Sequence, residues 1–219
     1  MRMSSSSSIL FGTVQNMAAR RRRRGRPRSY DPQAALQHAT EAFWTSGYSR
    51  TSLDEICAAA GMKRPSLQAG FGDKHALYLK ALEHYWQLSL AAVREALADG
   101  EQPLEQAFMR AYEGQLSLYF PAGGQPRGCF AVGTATTEAL DDPEIRSVLA
   151  AGLRALDADI ESRLRLAREK GELKPDADPA ALAMLATATL HSIAIRARAG
   201  VPRAELQEMA RKAVKVICG

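Results

Sequence analysis

The sequence predicts an all-α protein of about nine helices. Three belong to a small N-terminal unit and the rest to a larger helical unit behind it. Three observations carry this. Apolar residues recur at steps of three and four in most segments after Asp31. Helix boundaries are marked by Asp-Pro pairs at 31–32, 142–143 and 178–179 and by glycines such as Gly47, Gly61, Gly171 and Gly200. No segment alternates apolar and polar residues as a half-buried strand would.

In chain order, Asp31 reads as a cap with Pro32 at the first helical position. Ala35, Ala39 and Phe43 then share a face, and Gly47 ends the helix. Thr51 opens the second helix as a capping box with Asp54, and Ser52 with Glu55 offers the same pattern one residue on. Leu53, Ile56, Cys57 and Ala60 form its inner face. Gly61 turns the chain into a short third helix from Lys63 to Pro65 onward, which buries Leu67 and Phe71. A long helix from about Asp73 to Ala98 carries the stripe Leu79, Leu82, Trp86, Leu90, Val93 and Leu97. Gly100 and Pro103 separate it from a helix through Tyr119. A Gly- and Pro-rich loop, 121–127, precedes a helical stretch over 128–140. After Asp142, the residues Ile145, Leu149, Leu153, Leu156, Ile160 and Leu164 repeat the helical pattern. The helix that starts at Pro179 is apolar nearly all round. The last one sets Leu206, Met209, Ala213 and Ile217 on one side.

Composition is that of a soluble globular chain, with 46% hydrophobic and 24% charged residues. No apolar run is expected to cross a bilayer. Cys57, Cys129 and Cys218 form neither a metal-ligand spacing nor an even disulfide set, which suits a reducing cytoplasm. His38, His75, His84 and His191 show no ligand pairing, and neither a metal nor a cofactor is expected. No paired carboxylates, triad or cofactor loop supports an enzyme. The net charge is +5, unevenly placed. Eight of the 29 basic residues lie in residues 1–28 without an acid, which leaves 21 basic against 24 acidic residues elsewhere. Such an arm reads as an attachment to nucleic acid. The Ser- and Arg-rich start also admits a transit peptide, and Met3 or Met17 an alternative start.

Two short helices joined by a glycine turn and backed by a third have the geometry of a DNA reader, whose second helix enters the major groove. Lys63, Arg64, Ser66, Gln68 and Ala69 should face outward there, since Leu67 and Phe71 face inward. Arg26 and Arg28 would lie along the minor groove or backbone.

The residues Gly25-Arg26-Pro27-Arg28, Phe43-Trp44, Gly47-Tyr48, Thr51-Ser52-Leu53-Asp54-Glu55-Ile56, Pro65-Ser66-Leu67 and Phe71-Gly72-Asp73-Lys74 with Leu77 resemble the N-terminal domain of the TetR family over about residues 25–80. The resemblance implies a homodimer, a C-terminal regulatory domain and release from an operator when a small ligand binds. It also implies a phosphate contact at Lys74. The Thr51 hydroxyl, read as a cap, is a second candidate for phosphate. Gln68 and Lys63 depart from the family's usual Tyr and its usual capping Asn or Ser, so operator sequence cannot be borrowed from relatives.

These readings divide the chain into an arm (1–24), a helix-turn-helix domain (25–75) and a ligand-binding and dimerisation domain (76–219). The partners expected are a double-stranded, near-palindromic DNA operator, a second copy of the chain and an unknown small-molecule effector, with no membrane. Dimerisation is expected through the helices at 179–199 and 202–217, because the first is apolar on too many sides to be covered alone. Trp86, Phe108, Tyr112, Phe120, Phe130, Thr134, Met184 and His191 are the ligand-pocket candidates, suited to an apolar or aromatic compound with a few polar handles. Cys129 follows the flexible loop and reads either as a redox-sensing thiol or as a buried small hydrophobe. A DNA-binding adaptor without a ligand is the competing function. A packed core at the pocket candidates would favour it.

Each phosphate neutralised by a protein cation contributes about −0.9 to the slope of log affinity against log salt. Deleting residues 1–24 should therefore flatten that slope by several such increments in a dimer and weaken specific and random DNA together, as read by anisotropy titrations across salt. An unchanged slope would make the arm a bystander.

Overall fold

Aspartate caps fix where the helices begin. Asp31 accepts from the Gln33 amide at 2.9 Å, Asp142 from Glu144 and Ile145 at 2.9 and 3.0 Å, and Asp178 from Ala180 at 3.0 Å, each with proline at the first helical position. The computed structural model describes residues 31–219. Among them are nine α-helices, one π-helical turn and no strand. The helices are α1 (Pro32–Ser46), α2 (Leu53–Ala59), α3 (Arg64–Phe71), α4 (Lys74–Leu97), α5 (Leu104–Tyr119), α6 (Thr136–Glu138), α7 (Pro143–Glu169), α8 (Pro179–Arg198) and α9 (Arg203–Cys218).

Helix α4 is the spine. It packs against α1 on one side and α5 and α7 on others. Its buried set is therefore wider than a single stripe and adds Leu77, Tyr78, Ala81, Tyr85, Ser89 and Ala96, while Leu79 is only half-buried. The contact with α7 depends on Gly152. A Cβ there would overlap the Trp86 indole, so glycine lets the ring lie on the α7 backbone.

An aromatic cluster joins α1 to the rest. Phe43 meets Tyr78 edge-on at 5.1 Å between ring centroids, Trp44 meets Tyr85 at 4.9 Å, and Phe130 contacts Trp44, Tyr78 and Tyr85 at 5.6–6.0 Å. The Trp44 indole N–H donates to the Gly128 carbonyl at 2.9 Å.

Several expectations are corrected. The second helix is capped by Ser52, not Thr51: Ser52 Oγ accepts from the Glu55 amide and Glu55 from the Ser52 amide. Thr51 is only 2% exposed and donates instead to the carbonyls of Gly47 (2.7 Å) and Ala42 (3.2 Å), which ties the α2 entry to α1. The stretch 128–140 is not one α-helix. It is a π turn over Ala131–Ala135 followed by the single turn of α6. Thr134 Oγ1 donates to the Phe130 carbonyl at 3.0 Å and so competes with the α-helical ladder. In α9 the buried positions are Leu206, Ala210, Val214 and Ile217, while Met209 and Ala213 are half-buried at the edge of that face. Finally, one helix does have the length and composition to cross a bilayer: α8, at 20 residues and mean hydropathy 1.4. Its buried face, Ala183, Ala186, Leu190, Ile193 and Ala197 among others, packs on α7 and α9 as a core helix does. Its other face leaves Met184 and Ile195 exposed by 67% and 57%.

Replacing glycine by alanine inside a helix ordinarily gains about 1 kcal/mol. At Gly152 the overlap with Trp86 should outweigh that gain and destabilise by about 1–3 kcal/mol, as overpacking does. Urea unfolding followed by tryptophan fluorescence reads the sign. A stabilised Gly152→Ala variant would contradict this packing.

Candidate nucleic-acid interface and regulatory site

The reading unit is built on a turn that only glycine adopts freely. Gly61 has φ +61°, and the Met62 amide closes the turn on the Cys57 carbonyl at 2.9 Å. Met62, Leu67 and Phe71 are buried beneath α3, as is Cys57 of α2. Lys63, Arg64, Gln68, Ala69 and Gly70 are exposed, and Ser66 is half-buried. Arg64 and Gln68 are four residues apart and thus share a face.

Arg64 is held by Asp54 of α2, with Nη1 at 3.1 and 3.0 Å from its two carboxylate oxygens. Both side chains are more than half exposed, so the pair is worth at most about 1 kcal/mol and leaves the guanidinium exchangeable. Lys74, at the start of α4, points back across the α1–α2 junction. Its Nζ lies 4.7 Å from the Tyr48 ring centroid and donates to the Ser49 carbonyl at 3.4 Å. Arg50, exposed beside this junction, adds a cation that the sequence reading passed over. Thr51 leaves the candidate face: it is buried, and its hydroxyl is already engaged with the carbonyls of Ala42 and Gly47. Arg26 and Arg28 lie outside the described residues.

The eight pocket candidates do not converge. Among the described residues, Phe108 and Tyr112 line a cavity with Leu97, Ile160 and Leu190. Its volume is about 10 Å³, scarcely room for one water. Tyr112 donates to the Ala186 carbonyl there at 3.0 Å. Trp86 fills the space at Gly152, Phe130 belongs to the aromatic cluster, and Thr134 pairs with the Tyr78 hydroxyl at 2.8 Å. Phe120 sits half-buried at the end of α5. Met184 projects outward from α8 and cannot line an enclosed pocket in one subunit. His191 is half-buried on α8, and burial pushes its imidazole below the usual pKa. Uniform apolar periodicity concealed this scatter, because it marks burial without saying which helix covers each residue.

Two buried polar arrangements were not foreseen. Ser89 and Gln115 bond reciprocally, Ser89 Oγ to Gln115 Oε1 at 3.0 Å and Gln115 Nε2 to the Ser89 carbonyl at 2.9 Å, which locks α4 to α5. Arg163 is 3% exposed and donates to the Gln102 carbonyl (2.9 Å) and to Glu172 (3.2 Å); Glu172 in turn accepts from the Leu104 amide at 2.8 Å and caps α5. Cys129 is buried and accepts from the Tyr85 hydroxyl at 2.8 Å. Burial pushes its thiol up, away from the reactive thiolate. No group of three potential metal ligands occurs among the described residues.

Comparisons with known proteins agree with this geometry. The family model for bacterial regulatory proteins of the tetR family matches residues 35–81, and that for the tetracyclin repressor-like C-terminal domain matches 106–213. The HTH-type transcriptional repressor ComR of Escherichia coli (strain K12) is 30% identical over 187 residues, covering 85% of this chain and 89% of ComR. The transcriptional regulator AcuR of Cereibacter sphaeroides is 33% identical over 170 residues, 74% of this chain and 75% of AcuR. Among solved structures, a cysteine mutant of the TetR family transcriptional regulator CifR, complexed with 26-bp double-strand operator DNA, is 30% identical with a TM-score of 0.73, covering 87% of this chain and 98% of that one. The reduced form of NemR from Escherichia coli, at 23% identity and a TM-score of 0.74, shares the fold over 85% of this chain and 96% of its own.

Thr51→Val should cost about 1–3 kcal/mol in unfolding free energy, the usual penalty for stranding buried polar groups. It should leave DNA affinity of the folded protein unchanged. Normal stability with weakened DNA binding would restore Thr51 to the phosphate-contacting face.

Proposed function

The chain belongs to the TetR family of DNA-binding transcriptional regulators, and from that premise we propose a homodimeric repressor that leaves a near-palindromic operator when a small-molecule effector binds. The observation that carries the DNA half is the face of α3. Lys63, Arg64 and Gln68 stand exposed on a helix whose other side is packed, with Ser66 beside them and Lys74 at the flank. Gln reads adenine and Arg or Lys reads guanine in the major groove, whereas flanking cations meet phosphate. Arg26 and Arg28 would extend the contact along the neighbouring groove.

Dimerisation is supported by the exposed apolar residues Met184 and Leu185 of α8 and Val216 of α9. A second copy related by a two-fold axis covers such a face with itself, and a stable interface of this kind buries more than about 1,000 Å². The working division is a reading domain over 25–75 and a regulatory and dimerisation domain over 76–219, with α4 common to both. The protein works in the cytoplasm and performs no chemistry on its ligand.

One observation favours the competing adaptor reading: the centre of the larger domain is packed at the candidates expected to hold a ligand. A sensor then needs its site elsewhere on the domain.

Selection of bound fragments by the purified protein should return a near-palindrome. Gln68→Ala should change preference at one symmetric pair of positions, with a loss of about 1–3 kcal/mol per base contact. Uniform weakening on all sequences would make Gln68 a backbone contact, and an asymmetric site would count against the two-fold dimer.

A further inference from the structure

Two surface grooves of about 410 Å³ each share one side chain, Arg198 in the last turn of α8. The first has a mainly apolar wall of Val132, Ala194 and Ile195, with Cys129 also lining it. The second runs past Trp44, Arg127 and Glu41, between α1 and the loop that follows α5.

Arg198 is exposed at the end of α8, beside the segment 128–133. A Cβ at Gly128 would strike the Ala194 carbonyl, and a Cβ at Gly133, within the π turn, would meet the end of the Arg198 side chain. Gly128 also has φ +64°, which glycine alone adopts without strain. The segment 128–133 is thus packed closely onto the end of α8, with the Arg198 guanidinium against Gly133. Yet Arg198 is weakly engaged. Its Nη1 donates to the Arg127 carbonyl at 3.4 Å, and no carboxylate pairs with it among the described residues. Residues 1–30 contain no acid.

Arg127 is the opposite case. Its guanidinium carbon lies 3.7 Å from the Trp44 ring centroid, its Nε donates to the Leu118 carbonyl at 3.1 Å, and its Nη1 pairs with Glu41 of α1. Among the described residues this is the one ion pair between α1–α3 and any residue beyond α4. Against Arg127 and Arg198 the grooves place a single carboxylate, Glu41, so one positive charge is left over. That balance suits a monoanion better than a phosphate dianion.

We propose that the effector is a small organic carboxylate, with its charged head on Arg198 beside Arg127 and its apolar tail in the groove of Val132, Ala194 and Ile195. This rests on the ligand-responsive reading above and names the site and class that reading left open. The guanidinium fork takes a carboxylate through paired N–H donors. A head at this position competes with Glu41 for Arg127 and loosens the tie on α1. It lowers DNA affinity because it binds better to the arrangement in which that tie is open.

The test uses the full chain with octanoate and benzoate as probes and octanamide and benzamide as uncharged controls, by calorimetry and thermal shift. At least one acid should bind about tenfold more tightly than its amide. Arg198→Gln should abolish the difference, and Arg198→Lys should retain part of it. The same acid should weaken operator binding of the unaltered protein and not that of Arg198→Gln. Binding of neither acid at millimolar concentration, or equal binding by the Gln variant, overturns the site. Arg198-dependent binding that leaves operator affinity unchanged overturns the effector role. These readouts need no DNA for the binding arm, so a protein that selects no DNA sequence would defeat the regulator reading separately.

Discussion

The contact on which the architecture depends is the aromatic junction where Phe43 and Trp44 of α1 meet Tyr78 and Tyr85 of α4 and Phe130 at the head of the π turn. Edge-on rings at these separations contribute about 0.5–1.5 kcal/mol per pair beyond their buried area. More important is what they join. The three N-terminal helices are too small to bury a core alone, and α1 completes that core by leaning on α4. The reading helix α3 is a further step removed and is held through α2 and the start of α4. Its orientation is therefore inherited from the junction rather than set by its own eight residues.

The same junction borders the groove proposed for the effector. Trp44 sends its N–H to Gly128 and its ring face to Arg127, and both residues lead directly into the π turn. A π turn inside otherwise α-helical chain is an uncommon local form that often accompanies function. Here it is stabilised by the Thr134 hydroxyl and opened to Arg198 by Gly133. Two polar pairs of the larger domain fix helix positions: Ser89 with Gln115 between α4 and α5, and Arg163, through Nη2, with Glu172 beneath the α4–α5 connection, while Arg163 Nε and Nη1 are buried without a partner among the described residues.

Helix order and most boundaries were legible in the sequence because their determinants are local. Asp-Pro caps, glycine stops and periods of three and four act over a few residues, and the structure follows them. The errors came where two local solutions competed or where partners lie far apart in the chain. Thr51 and Ser52 carry the same capping pattern, and the carbonyls of Gly47 and Ala42, four and nine residues back, take the Thr51 hydroxyl and leave the cap to Ser52. In the 128–140 stretch the Thr134 hydroxyl bonds the Phe130 carbonyl four residues back and also pairs with Tyr78, 56 residues away, a partner the local pattern does not reveal. The exposed face of α3 was readable because two buried residues, Leu67 and Phe71, determine it. The pocket was not, since apolar character at Phe130 or Met184 is the same whether a residue meets another helix, solvent or a ligand.

Helix α4 is unbroken for 24 residues, which makes it about 36 Å long. One end carries Lys74 beside the reading unit, and the other is clamped by α5 and α7. Such a rod is a lever. A pivot of about 5° at the clamped end displaces the far end by roughly 3 Å over that length. In the two-fold dimer proposed above the displacement would count twice in the span between reading helices, whereas the grooves of DNA keep a fixed pitch. Such a dimer would need no large rearrangement to lose its register on the duplex: stiffness along α4 would convert a change the size of one side chain into a mismatch of spacing.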